Sequence, residues 1–235
     1  MPSRRAGLAI ALSSALPFLA LVFLMEVERG RLRGALTPRF AGWAVEDGPI
    51  EVGTAVLAAA AAVAWGIAAL RARAGGPRRS APRLVTGALA LVLFLVAGEE
   101  IAWGQRLLGY RSPGFFRSHN TQRELTLHNL EGVNERVNGV FIIGTLIYGV
   151  LLPLAARRLA VVAAFCARLG LPLPPVRVAP FFALAIVYRA LYFDKDLYAN
   201  DAEEGLEFLV AFAFLVVGLH AAARPRDLFR GPRRD

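Results

Sequence analysis

The sequence predicts an all-α fold, a polytopic membrane helical bundle of about six transmembrane helices in a single domain. Two observations carry that expectation. Apolar residues make up 56% of the 235 and charged residues only 19%, the profile of a multi-pass membrane protein. The apolar residues also gather into runs of about 16 to 21, close to the ~20 residues that cross a ~30 Å hydrocarbon core, and no long soluble segment remains between them.

The first run, 7–25, follows Ser3, Arg4 and Arg5 and resembles a signal peptide, but it is long and has no clear cleavage site before a soluble domain. It is expected to stay as an anchor. The remaining runs are 50–70, 84–103, 139–156, 178–193 and 205–223. The alanine stretch in the second suits close helix packing. Between the fourth and fifth, 157–177 mixes arginines with apolar residues and ends in Leu-Pro-Leu-Pro-Pro, which predicts a short interfacial helix and a proline turn. Cys166 is the one cysteine, so no intrachain disulfide forms, and it reads as a small buried hydrophobe.

Charge sets the expected orientation. With the N-terminus inside, the inner segments hold 16 of the 27 basic residues and only two acids, Asp227 and Asp235. Positive-inside bias then puts both termini in the cytoplasm, with Arg29, Arg31, Arg33 and Arg39 in the first outer loop as exceptions. Trp43, Trp103, Tyr192 and Tyr198 fall near the outer interface as an aromatic belt would. The net charge of +9 is divided among loops, so a nucleic-acid partner is not expected; membrane lipid is.

The polar motifs all fall on the expected outer side. Glu-Asp-Gly-Pro-Ile-Glu opens the second span with Pro49 at a first helical position and Glu51 just inside; Asp201, Glu203, Glu204 and Glu207 open the sixth. Helix capping is an adequate account of both clusters, with Glu51 and Glu207 the deepest members. Glu99 and Glu100 differ: they stand at the end of a spanning run, where the helix dipole disfavours negative charge and an ionisable group costs roughly 2.5 to 3.5 kcal/mol. Glu99, Trp103 and Arg106 share a helical face, so a structural Glu99–Arg106 ion pair is one reading and a functional carboxylate the other.

Between spans three and four, Thr121 and Glu124 have capping-box spacing, predicting a short amphipathic helix in the outer loop. On it Glu124, His128, Glu131 and Glu135 recur at steps of four, three and four and fall within about 60° of one another. A solvated helix face explains such a stripe; so does a metal site, since Glu and His at i, i+4 can bind one ion. His119 is a further candidate ligand. No zincin motif, nucleophile elbow, phosphate loop or cysteine pair is present.

The motifs Glu46 to Glu51, Gly98 to Arg106 (Gly-Glu-Glu-Ile-Ala-Trp-Gly-Gln-Arg) and Asn120 to Asn129 together resemble an uncharacterised family of bacterial multi-pass membrane proteins, which implies an inner-membrane location but no reaction. A fainter likeness is to alkaline-ceramidase-type membrane hydrolases, which need three histidine ligands where this chain offers two on the outer face.

The leading expectation is a hydrated pocket at the outer boundary, with Glu99, Glu100, Glu124 and His128 as catalytic groups. Glu51, Glu100, Glu124, His128, Glu131 and Glu207 are the candidate ligands of a divalent metal (Zn, Mg, Mn or Fe). Arg106, Arg123, Gln105 and Asn129 would hold substrate, with the arginines on an anionic head group. The corresponding reaction is hydrolysis or group transfer on a lipid or lipid-linked substrate. A cation- or proton-coupled transporter or channel, and a non-catalytic scaffold, are the alternatives.

Overall fold

The computed structural model describes residues 15–23, 48–72, 80–191 and 199–223, without the side chains of 80, 134, 135 and 199–202. The first outer loop, Trp43, Tyr192, Tyr198, the side chain of Asp201 and both termini lie outside the described residues. Helix is the regular structure throughout: α1 (15–23), α2 (Pro49–Arg71), α3 (Ser80–Glu100), the short α4 (Gly114–His119), α5 (Asn134–Leu146), α6 (Ala160–Leu169), α7 (Ala179–Leu191) and α8 (Ala199–Ala223). α5 continues through a π turn, Ile147–Leu151, into a last stretch, Leu152–Arg158. Pro153, which has no N–H to donate, is the second residue past that turn.

Four helical stretches are long and apolar enough to cross a membrane: Pro49–Arg71, Ala81–Glu100, Arg136–Arg158 and Glu203–Ala223. The expected six is therefore met only as four among the described residues. α7 has 13 residues, about 20 Å of helix, short of a ~30 Å core. Only 15–23 of the first run is described.

α2 and α8 form the centre. Small residues let them approach closely: Ala58, Ala61 and Ala64 are buried, and a Cβ on Gly218 would lie 2.8 Å from the ring of the fully buried Trp65. Trp65 Nε1 donates to Phe214 O at 3.1 Å, and Arg71 Nη1 to Ala222 O at 2.7 Å at the end of α8. α3 packs on α2, α7 on α8, and α5 on α7. The order around the bundle is thus α3, α2, α8, α7, α5. Large apolar side chains such as Leu91, Phe94, Val140 and Ile143 stay exposed on α3 and α5, where the surrounding hydrocarbon would cover them. A short helix does form within 157–177, as α6, and Gly170 (φ +68°) then turns the chain so closely against Ala81 that a Cβ would meet its backbone at 2.6 Å.

One predicted element does not form. Residues 121–133 make turns and a single antiparallel bridge, Asn120 to Leu130, in place of an amphipathic helix, and α5 starts only at Asn134. The stripe of Glu124, His128, Glu131 and Glu135 therefore has no helix to carry it; the side chain of Glu135 is not described. The cause is Asn120. Its Oδ1 accepts from Gln122 N at 2.9 Å and Glu124 N at 3.2 Å, while its Nδ2 donates to Thr126 O and Thr126 Oγ1. A buried Asn that captures local N–H groups offers the backbone a competing set of hydrogen bonds, and Arg123 at φ +59° breaks the helical run.

Candidate functional site at the acidic end of the bundle

α3 ends at Glu100, short of the expected Trp103, because the chain then enters the left-handed region. Ala102, Trp103 and Gly104 have φ of +45°, +54° and +79°. For the two non-glycine residues that conformation costs roughly 1 to 2 kcal/mol each. The turn folds the Trp103 ring over Gly98, where a Cβ would lie 2.7 Å from it, and brings Trp103 Nε1 to Glu99 Oε1 at 2.8 Å. Gly98, Glu99 and Trp103 of the motif thus form one unit.

Glu99 is also the anchor of the loop above it. Its Oε2 accepts from Leu127 N and from His128 N at 3.1 Å, and lies 3.2 Å from His128 Nδ1. Arg106 turns elsewhere than the expected Glu99 pair. Its Nε and Nη2 donate to the two oxygens of Glu124 at 2.7 and 2.8 Å, and its Nη1 to Glu51 Oε1 at 2.8 Å. The Glu124 hydrogen bonds, and after them Glu51, outweigh the burial that opposes charge and raise the Arg106 pKa further. So committed a guanidinium is a poor anchor for an anionic head group. Gln105 serves the loop: its Oε1 accepts from Leu125 N, and Ser112 Oγ sits between it and Arg123 O. Arg123 and Glu131 are exposed, and neither lines the cavity described next.

Beneath this loop lies a polar cavity of about 400 Å³. Glu51 of α2, Glu99 and Glu100 of α3, Arg106, His128 and Asn129 of the loop and Glu207 of α8 line it, so most of the expected site residues do converge. Thr121, Gln122, Asn138, Glu203 and Glu204 complete the lining. Asn138 and Gln122 were not singled out from sequence; the visible signal for Asn138 was a lone amide opening an apolar span. Glu203 also faces the buried Arg189 of α7, at 3.3 Å. The closest grouping of potential ligands among the described residues is Glu100, Glu204 and Glu207, with one carboxylate oxygen from each lying within 4.8 Å of the others. The expected metal set is thus redistributed: Glu51 and Glu124 hold Arg106, His128 faces Glu99, Glu131 is exposed, and Glu204 joins Glu100 and Glu207. His119 is exposed and stacked on Phe115, while His220 is bonded to Arg177 near the C-terminal end of α8.

A second cavity of about 380 Å³ opens from the first and shares Glu99, Glu100, His128, Asn138 and Glu207 with it. Its walls are α3 (Leu89 to Glu100) and α5 (Val137 to Thr145), its floor α8 and α2. Apart from the shared residues and two threonines its lining is apolar. Along α3 it covers eleven residue steps, about 16 Å, or roughly half a ~30 Å hydrocarbon core. Val92, Leu95 and Val137 on its borders are exposed, so the groove opens sideways between α3 and α5.

Compared with protein families, curated proteins and solved structures, the chain matches none.

Proposed function

We propose that the protein is a membrane-embedded hydrolase or transferase that acts on a lipid or lipid-linked substrate entering sideways from the bilayer. The observation that carries this reading is the junction of a carboxylate-lined polar cavity with an apolar groove one leaflet deep, five residues being common to both. An amphiphile has that same division, a polar head and an apolar chain. A transport path would need polar groups continuing along the bundle, and the groove beyond the carboxylates is lined mainly by Leu, Val, Phe and Ala.

Within the pocket, His128 is the group best placed to move a proton. Glu99 faces Nδ1, which favours the tautomer with hydrogen on that nitrogen and leaves Nε2 as the basic one. Asn129, Asn138 and Gln122 supply amides for orienting a polar head. Glu100, Glu204 and Glu207 would hold the divalent ion; an all-oxygen donor set suits Mg or Mn better than Zn, and mutual repulsion among carboxylates this close favours a cation between them. Such an ion would supply a Lewis acid and an acidified water. Both termini lie in the cytoplasm and the pocket faces outward, on the charge count given above. Single cysteines at Ser118 and Arg158 should accordingly label from opposite sides of the membrane; labelling from one side would refute the topology.

The activity test incubates purified protein with bacterial lipid extract and Mg or Mn, and follows lipids by mass spectrometry. One lipid class should be consumed and its cleavage or transfer product appear, with loss of turnover in His128→Ala and Glu100→Gln. Absence of turnover together with cation flux in proteoliposomes that Glu100→Gln abolishes would replace the enzyme by a transporter.

A further inference from the structure

The segment 101–119, between the end of α3 and the end of α4, is unlike the rest of the acidic end. It contains Arg106, Arg111, Arg117 and His119 and no Asp or Glu. It also leaves large apolar side chains uncovered: Leu107 is 81% exposed, Leu108 77% and Phe115 58%. Two adjacent leucines on a single helical turn, Gln105–Leu108, contribute almost nothing to the protein's own core. Their exposure is costly in water, since a leucine side chain is stabilised by leaving it.

We infer that this segment is an interfacial platform that seats Leu107, Leu108 and Phe115 among the acyl chains of an anionic leaflet, with Arg111 and Arg117 on the lipid head groups. Apolar side chains interleaved with arginine are the composition of a segment lying in the membrane interface, and each basic residue near an anionic surface adds about fivefold to the local preference for it. Arg106 is excluded from that role because Glu51 and Glu124 hold it. The same clamp, with Glu99 on Leu127 and His128, ties the platform to the pocket, so seating the platform fixes the depth of the pocket in the leaflet. Left-handed Gly104 and Gly109 bracket the leucine turn and give it its own direction. The partner is the bilayer surface, and the inference stands whether or not the pocket is catalytic.

The test uses the full chain with Cys166→Ala, reconstituted in vesicles of phosphatidylcholine alone or with phosphatidylglycerol. An environment-sensitive fluorophore is attached at Leu108→Cys, with Glu131→Cys as the exposed control. Quenching by nitroxide-labelled lipid should be several-fold stronger at position 108 than at 131. Labelled phosphatidylglycerol should outdo labelled phosphatidylcholine at 108, and Arg111→Gln with Arg117→Gln should remove that preference while chain quenching persists. Stronger quenching of position 108 by aqueous iodide than by lipid would overturn the platform. Equal quenching by the two lipids in the unaltered protein would overturn its anionic preference. Gel filtration of each variant confirms that the fold is kept; the altered side chains at 108, 111, 117 and 131 are all exposed.

Discussion

Glu99 and Glu100 are neighbours in sequence but belong to two regions with different physics. Glu99 looks up into the loop, where its oxygens accept from an indole and two backbone N–H groups and stand beside an imidazole. Glu100 looks across the bundle, where its carboxylate meets those of Glu204 and Glu207 within 4.8 Å. The loop region is built from donors matched to acceptors and is a stabilising framework. The pocket region gathers carboxylates, an arrangement that works against folding unless a cation or bound protons offset the repulsion. Two adjacent acids at the end of one long apolar helix therefore differ in what they do for the structure, one tying down the loop and the other facing the carboxylates across the cavity.

Four substitutions test that division. The largest loss of stability is expected for Asn120→Ala, which removes a buried amide making four hydrogen bonds to the loop; about 3 kcal/mol should appear in denaturant or thermal unfolding. If the melting point is unchanged, the loop is not the framework described here. Glu99→Gln comes next, at about 2 kcal/mol, because one acceptor oxygen becomes an amide facing N–H donors. It should also loosen the loop around Trp103, whose indole bonds Glu99, visible as a red shift in the fluorescence of a background with Trp43→Phe and Trp65→Phe, which leaves Trp103 as the one tryptophan.

Glu100→Gln should behave in the opposite sense. Removing one of three repelling carboxylates leaves the apo protein as stable or slightly more so, while binding of Mg or Mn, followed by calorimetry or metal analysis, falls by tenfold or more. A stability loss as large as that of Glu99→Gln, with metal binding intact, would erase the contrast between the two acids. The smallest effect belongs to Glu131→Gln: the side chain is exposed, and both unfolding and metal binding should stay within about 0.5 kcal/mol of the unaltered protein. Metal loss in this variant would restore the acidic stripe that the sequence suggested.

What the sequence determined by itself follows from composition and local chemistry. Apolar runs of membrane length give helices wherever the backbone has no better partner, and the four long ones were legible to within a few residues. Acids at the starts of α2 and α8 and at the end of α3 were legible as costly charge, and their convergence on one pocket follows from an up-and-down bundle that puts those three ends on one side. Tertiary structure decided the rest. The capping-box spacing of Thr121 and Glu124 reads as a helix start only while Asn120 is ignored, and Asn120 wins because its amide is buried where those N–H groups are within reach. Arg106 shares a helical face with Glu99 only if α3 continues; the left-handed turn at 102–104 swings it to Glu51, 55 residues away, and to Glu124. Glu204, read as a cap residue, became a member of the closest carboxylate cluster because that depends on how α8 is rotated against α3, which periodicity within one helix does not encode. The groove has the same origin: α3 packs on α2 and α5 on α7, and the opening between α3 and α5 exists only once both are docked.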